Sequence, residues 1–254
     1  MKSKIAIAAL TVAPDITLYH SGPALDHGPL PSLFYFALSG PDSLTLDPFN
    51  QPVQFLHGKM IRVFSMTLPG HEDGLLAKDA LTIWAEDLER GIDSLGDFLD
   101  AAEQAVAFAI RERFADPEKL AIAGLSRGGL LAFHLAARVE KFRCVLAFAP
   151  VTKLGNAKEF SHLQDHPAVK SYDAETISEP ICNRHVRIYI GNDDTLVDTR
   201  SCFEFGMSIV AKAREHKVRS PQVELFITPS IGHKGHGTPP EIFAQGAHWI
   251  AECL

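Results

Sequence analysis

The sequence has no uninterrupted apolar run of about 18 residues or more, so no segment reads as a membrane-spanning helix. Its four cysteines, Cys144, Cys182, Cys202 and Cys253, are scattered and form no C-x-x-C pair. That excludes a disulfide-dense scaffold and a thioredoxin-type motif, and it predicts a reduced, cytoplasmic setting with Cys144 in the core. Basic residues are not in excess: 24 Lys and Arg stand against 31 Asp and Glu, a net charge of −7, which argues against nucleic acid or an anionic membrane as partner. There is no H-E-x-x-H; His162 and His166 are four apart without it, and His233 and His236 have no Cys or carboxylate beside them, so no metal site is expected. Internal repeats, low-complexity tracts and linker-like composition are absent too, which predicts one domain over 1–254.

What is present is organised around residues 120–131. The apolar run Leu120 to Ala123 follows Asp116-Pro117-Glu118-Lys119 and reads as a strand behind a turn. The chain passes through Gly124-Leu125-Ser126-Arg127-Gly128 and continues from Leu130 to Val139 with helical apolar spacing. Strand, G-x-S-x-G, helix is the arrangement of a nucleophile elbow. A serine at so sharp a turn has chain close on both sides, and glycines at 124 and 128 have no Cβ to collide. The turn also aims the first helical amides, that of Arg127 included, at any oxygen approaching Ser126.

Around this stretch, short apolar runs alternate with amphipathic ones. Strands are predicted at 5–13, 16–20, 33–38, 61–66, 143–149, 186–190 and 222–228, and helices at 81–92, 97–114, 200–217 and after Pro239-Pro240-Glu241. Lys2 and Lys4 ahead of Ile5–Ala13 resemble the start of a signal peptide, but an edge strand closed by Pro14-Asp15 is preferred, and secretion is the lesser expectation. Continuously apolar strands alternating with helices predict an α/β fold with a mostly parallel central sheet of about eight strands and helices on both faces. Ligands of such sheets bind beyond the carboxyl ends of the strands. The stretch 151–184 breaks the rhythm and is expected to form a small cap or lid segment.

Two such strand ends carry further chemistry. Gly191-Asn192-Asp193-Asp194-Thr195-Leu196-Val197-Asp198 offers three carboxylates, any of which could orient an imidazole or merely cap the next helix. Thr228-Pro229-Ser230-Ile231-Gly232-His233-Lys234-Gly235-His236-Gly237 offers two histidines.

Serine, acid, histidine in that order, each just after a strand, is the order of the α/β-hydrolases, and from Leu33 onward the sequence resembles that superfamily. Gly124-Leu125-Ser126-Arg127-Gly128-Gly129 is similar to the elbow of its prolyl-oligopeptidase-like serine esterase and peptidase branch, near the dienelactone hydrolases, which carry a cysteine where this chain has Ser126. The resemblance implies Asp194 as the acid, three residues after Gly191 and three before Val197, ahead of Asp193 and Asp198. It implies His233, after Gly232, as the base, with His236 as the alternative. It also implies an oxyanion donor just past the strand 33–38, where relatives have His-Gly and this chain has Ser39-Gly40-Pro41-Asp42. Pro41 has no N–H, so the donors expected are the amides of Arg127 and Asp42, with Gly40 or Ser43 as substitutes for the latter. His71 and Glu72, with 151–184, are expected to shape the substrate pocket. The activity implied is hydrolysis of a small or medium carboxylic ester by a Ser126–His233–Asp194 triad, without metal or organic cofactor. A small peptidase, an acyltransferase and a catalytically silent binding module are the alternatives.

Overall fold

The computed structural model of the chain describes residues 5–254. Lys2 and Lys4, on which the signal-peptide reading turned, lie outside them. Eight strands among the described residues form one sheet: β1 (Ile7–Ala13), β2 (Ile16–Ser21), β3 (Leu30–Phe36), β4 (Arg62–Ser65), β5 (Ala115–Leu125), β6 (Phe142–Phe148), β7 (His185–Gly191) and β8 (Val223–Thr228). Their spatial order is β1-β2-β4-β3-β5-β6-β7-β8. The β1–β2 and β2–β4 pairs are antiparallel and the rest are parallel, so the expected mostly parallel α/β sheet is what the chain forms.

The connections are helical. In chain order they are α1 (Gly40–Thr45), α2 (Gln51–Leu56), α3 (Ala80–Glu89), α4 (Ser94–Arg111), α5 (Arg127–Arg138), α6 (Pro167–Lys170), α7 (Ser178–Ile181), α8 (Thr199–Glu215) and α9 (Pro240–Cys253). Because side chains of a strand alternate between faces, the continuously apolar stretches of the central strands feed two cores. Leu33 and Tyr35 of β3, Ala121 and Ala123 of β5, and Leu146 and Phe148 of β6 pack with α2 and α9. Phe34, Phe36, Leu120, Ile122, Val145 and Ala147 pack with α3, α4, α5 and α8 on the other face.

Several boundaries differ from the sequence reading. β3 starts at Leu30, three residues before the predicted strand, and Pro31 is accommodated because the register with β5 jumps there, from Leu30↔Ala115 to Ser32↔Leu120. The jump leaves Asp116–Lys119 unpaired with β3, so the predicted turn survives as a bulge inside β5. α4 starts at Ser94 because the Asp93 carboxylate accepts the Gly96 amide at 3.0 Å, a cap the sequence reading passed over. The stretch 151–184 holds short helical turns, and Leu154, Phe160, Val169, Tyr172 and Ile181 bury into the α5–α8 core.

Two buried polar groups hold loops next to β2 and β4. The Arg62 side chain, fully buried, donates to the carbonyls of Pro23, Ala24, Gly28 and Phe114, so it ties the loop 23–28 and the chain just before β5 together. After β4 the chain turns back at Pro69-Gly70, and the Pro69 carbonyl lies 3.1 Å from His71 Nδ1 while accepting Trp84 Nε1–H at 2.8 Å. The His71 ring is buried, with Nε2 unpartnered; burial first, and the nearby Arg127 cation second, push its pKa down to about 4.

A histidine held neutral in the fold but ionising near 6.5 when unfolded makes the unfolded chain the better proton acceptor between those values. Stability is therefore full above about pH 6.5 and falls as pH drops towards 4. His20 and His134, also pushed down by burial, act with the same sign. His71→Asn is expected to shrink the loss of Tm between about pH 7 and pH 5, and thermal unfolding of both proteins at the two pH values checks it. An equal loss in both would remove His71 from the account.

Candidate active site

Ser126 stands between β5 and α5 with φ 55° and ψ −120°. The strain is held from both sides. A Cβ on Gly124 would run into the Gly128 carbonyl, and one on Gly128 would run into the Phe36 carbonyl at the end of β3. The Ser126 amide donates to Phe148 O of β6 at 2.8 Å, and its carbonyl accepts the amides of Gly129 (2.9 Å) and Val151 (3.1 Å). The serine is thus tied to three neighbouring segments. The amide of Arg127 is the first of α5, and first-turn amides have no intrahelical acceptor.

Asp194, the acid that the family resemblance implies, lies in the loop after β7. Asp194 is 3% exposed, and its Oδ1 accepts the amides of Leu196 (3.0 Å) and Val197 (3.2 Å). Thr199 Oγ1 accepts the Asp194 amide and donates to Gly191 O, so the loop closes on the end of its own strand. Oδ2 remains for a partner. Asp193 is exposed and Asp198 caps α8, bonding the Arg200 and Ser201 amides.

The histidine differs from the expectation. His236, not His233, joins the two: its Nδ1 is 2.7 Å from Asp194 Oδ2 and its Nε2 is 2.9 Å from Ser126 Oγ. The reason lies in the turn after β8. Residues His233–Gly235 form a single 3-10 turn, with positive φ at Gly232 (74°), Lys234 (52°) and Gly235 (77°). That turn leaves His233 exposed on its outer side and sets Gly235 so close to Asp193 that a Cβ there would strike the Asp193 carbonyl. The next residue then faces Asp194. Cross-loop bonds hold it: Thr195 donates from both amide and hydroxyl to Lys234 O, Asp193 N donates to Ser230 Oγ, and Gly237 N donates to Ile231 O. Both histidines follow a glycine, but only Gly235 meets the acid loop. A glycine on each side of His236 was the available sign.

The oxyanion expectation is corrected as well. Residues 39–43 are not an open turn but the start of α1, with Ser39 as its cap: Asp42 N donates to Ser39 Oγ at 3.2 Å. Gly40 N donates to Thr67 Oγ1 and Ser43 N to Ser39 O, so Asp42 and both substitutes spend their amides on local structure. The S-x-x-D pattern of Ser39 and Asp42 is a helix-start signature legible in the sequence.

Beside Ser126 opens a cavity of about 210 Å³, walled by Ala37, Leu38, Pro48, Phe49, Leu125 and Phe243. Tyr35 of β3 fixes one wall by donating its hydroxyl to Phe49 O at 2.6 Å, and Phe243 of α9 packs on Phe148 with ring centroids 4.7 Å apart. His71 and Glu72 do not reach this cavity. They line a separate cleft among β2, the turn after β4 and α4, because the Pro69-Gly70 turn directs them there. No residue of 151–184 lines the cavity either.

Residues 84–254, more than half of the chain, match the sequence model of the prolyl oligopeptidase family. A search of curated proteins gives no match. Among solved structures the fold is similar to Thermus thermophilus TT1662, with a TM-score of 0.71 and 19% identity over 98% of this chain and 97% of that one. It is similar to a cold-adapted esterase from an Arctic intertidal metagenomic library, with a TM-score of 0.69 and 18% identity over 100% and 96% of the two chains. It is also similar to Porphyromonas gingivalis dipeptidyl peptidase 4, with a TM-score of 0.69 and 15% identity over 98% of this chain, which spans only 35% of that peptidase. The α/β-hydrolase architecture, the elbow at Ser126 and the match over 84–254 lead to one assignment: the chain belongs to the prolyl oligopeptidase family.

Proposed function

We propose that the protein is a serine hydrolase that cleaves carboxylic esters with a small acyl group through Ser126, His236 and Asp194. The observation that carries this is the continuous hydrogen-bond chain from Asp194 Oδ2 through His236 to Ser126 Oγ beside an apolar cavity. Ser126 Oγ attacks the ester carbonyl as His236 Nε2 takes its proton. Asp194 holds Nδ1–H, which selects the tautomer with a free Nε2 lone pair and stabilises the imidazolium. The developing oxyanion is met by the Arg127 amide at the head of α5. His236 then gives its proton to the leaving alcohol, and a water deprotonated by the same imidazole hydrolyses the acyl-enzyme. The stretch 151–184, inserted between β6 and β7, is read as a cap segment of the single domain rather than as a wall of the acyl cavity.

The cavity sets the acyl preference. At about 210 Å³ it has room for roughly seven water-sized groups, and apart from Arg127 and His236 its walls carry no charge. Arg127 itself turns away to donate to Ala77 O. A second reading, peptide bond cleavage by the same three residues, has the family membership behind it. The two separate on a panel of nitrophenyl esters against peptidyl amides.

Ser126→Ala and His236→Ala are each expected to fold and to lower kcat by about 10⁴ or more on the preferred ester, with Asp194→Asn similarly severe. His233→Ala, at an exposed position, is expected to stay within about twofold of wild type. Steady-state kinetics of the four variants check the assignment, and an inactive His233→Ala beside an active His236→Ala would reverse it.

Acyl chain length is the second measurement. kcat/KM is expected to be highest for acetyl and butyryl esters and to fall by about a hundredfold by dodecanoyl, because the cavity cannot bury the longer chain without strain. A profile rising with chain length, or turnover of amides alone, would discard the small-acyl ester reading.

A further inference from the structure

The end of the sheet away from Ser126 carries a group of side chains that the proposed hydrolysis does not use. Cys144 lies near the start of β6, and His185 is its register partner at the start of β7. Cys253 is the last residue of α9, which packs on that face of the sheet. Among the described residues, the two Sγ atoms and one imidazole nitrogen of this group lie within 4.8 Å of one another. The sequence reading saw only scattered cysteines, since the fold alone brings β6 and the end of α9 together.

We propose that Cys144, His185 and Cys253 form a site for a thiophilic d¹⁰ cation, zinc above all, with water as the fourth ligand. Thiolates and imidazole are the donors such ions select. A tetrahedral zinc with Zn–S near 2.3 Å and Zn–N near 2.0 Å holds its donors roughly 3.3–3.8 Å apart. With the donors within 4.8 Å of one another, the group needs to contract by at most about an ångström, and the two outer members can supply it, because His185 is exposed and Cys253 is half-buried in a terminal helical turn. Cys144 is buried and forms the floor. Exposure on the His185 side leaves an entry path and a place for the water.

The charges suit a divalent ion. Two thiolates and one neutral imidazole cancel its charge, and the thiol protons leave to solvent. The neighbouring cations are already paired, Arg143 with Glu118 and Arg187 with Glu224, each at 2.6 Å. The ion would pin the end of α9 to the sheet about 13 Å of strand away from the Phe148 carbonyl that holds Ser126, so it has no part in the reaction steps above.

The test uses the whole chain, reduced and stripped of metal, titrated with Zn²⁺ against a chromophoric chelator and with Cd²⁺ for its thiolate charge-transfer absorption. One ion per chain is expected, with the Cd²⁺ band present and Tm raised by saturating Zn²⁺. Cys253→Ser and His185→Ala should each weaken binding by about tenfold or more, and both sit where the fold tolerates change. His236→Ala should bind as wild type does. The proposal is overturned if the reduced protein shows no thiolate band, if Cys253→Ser binds undiminished, or if His236→Ala abolishes uptake. It is equally overturned if Cys144 and Cys253 prove to be a disulfide whose reduction yields no metal binding.

Discussion

Everything at the Ser126 end of this molecule depends on one steric constraint, the crossing of three backbone segments around Ser126. β5 runs into α5 across the end of β3, and the approach is so close that residues 124 and 128 have no room for a side chain. The strained serine persists because β6 takes its amide and the chain after β6 gives one back to its carbonyl. The elbow therefore measures the whole sheet: any shift of β3, β5 or β6 against one another would be felt at Ser126 first.

The rest of the site is assembled by polar contacts rather than by packing. The acid loop and the histidine loop are both exposed on their outer sides, and neither has an apolar core of its own. What relates them is a short set of cross-loop bonds, Thr195 to Lys234, Asp193 to Ser230 and Ser230 to Asn192, together with the steric contact of Gly235 on Asp193. Hydrogen bonds are directional, so this set fixes the imidazole's position where hydrophobic contacts would leave it loose. The cavity beside Ser126 is held by the Tyr35–Phe49 bond on one wall and aromatic packing of Phe243 on the other.

The two faces of the sheet divide the labour. The α3–α4–α5–α8 face buries most of the large side chains and takes in the irregular stretch 151–184 as well. The α2–α9 face is thinner; it supplies Phe243 to the cavity at one end of α9 and Cys253 to the thiol–imidazole group at the other. α9 thus connects the proposed acyl site with the proposed metal site through one rigid element.

The sequence by itself determined the fold class, because buried parallel strands must be apolar at every position and these runs alternate with helical periodicity. It also determined the elbow, since only glycine fits at 124 and 128, whereas among the three carboxylates after β7 it was the family resemblance that singled out Asp194. The fold class and the elbow are local: chain order and side-chain size suffice to read them. Which histidine meets Asp194 was not local. His233 and His236 both follow glycine, and the choice fell to the contact of Gly235 with a loop forty residues earlier in the chain. Nor could the sequence place His71 and Glu72 outside the cavity, since the Pro69-Gly70 turn aims them by its packing on α3. The amides past β3 were half legible, for Ser39 and Asp42 spell a helix cap that the proline obscured. The meeting of Cys144, His185 and Cys253 was wholly tertiary, because strand register and the docking of α9 are set by packing between segments far apart in the chain.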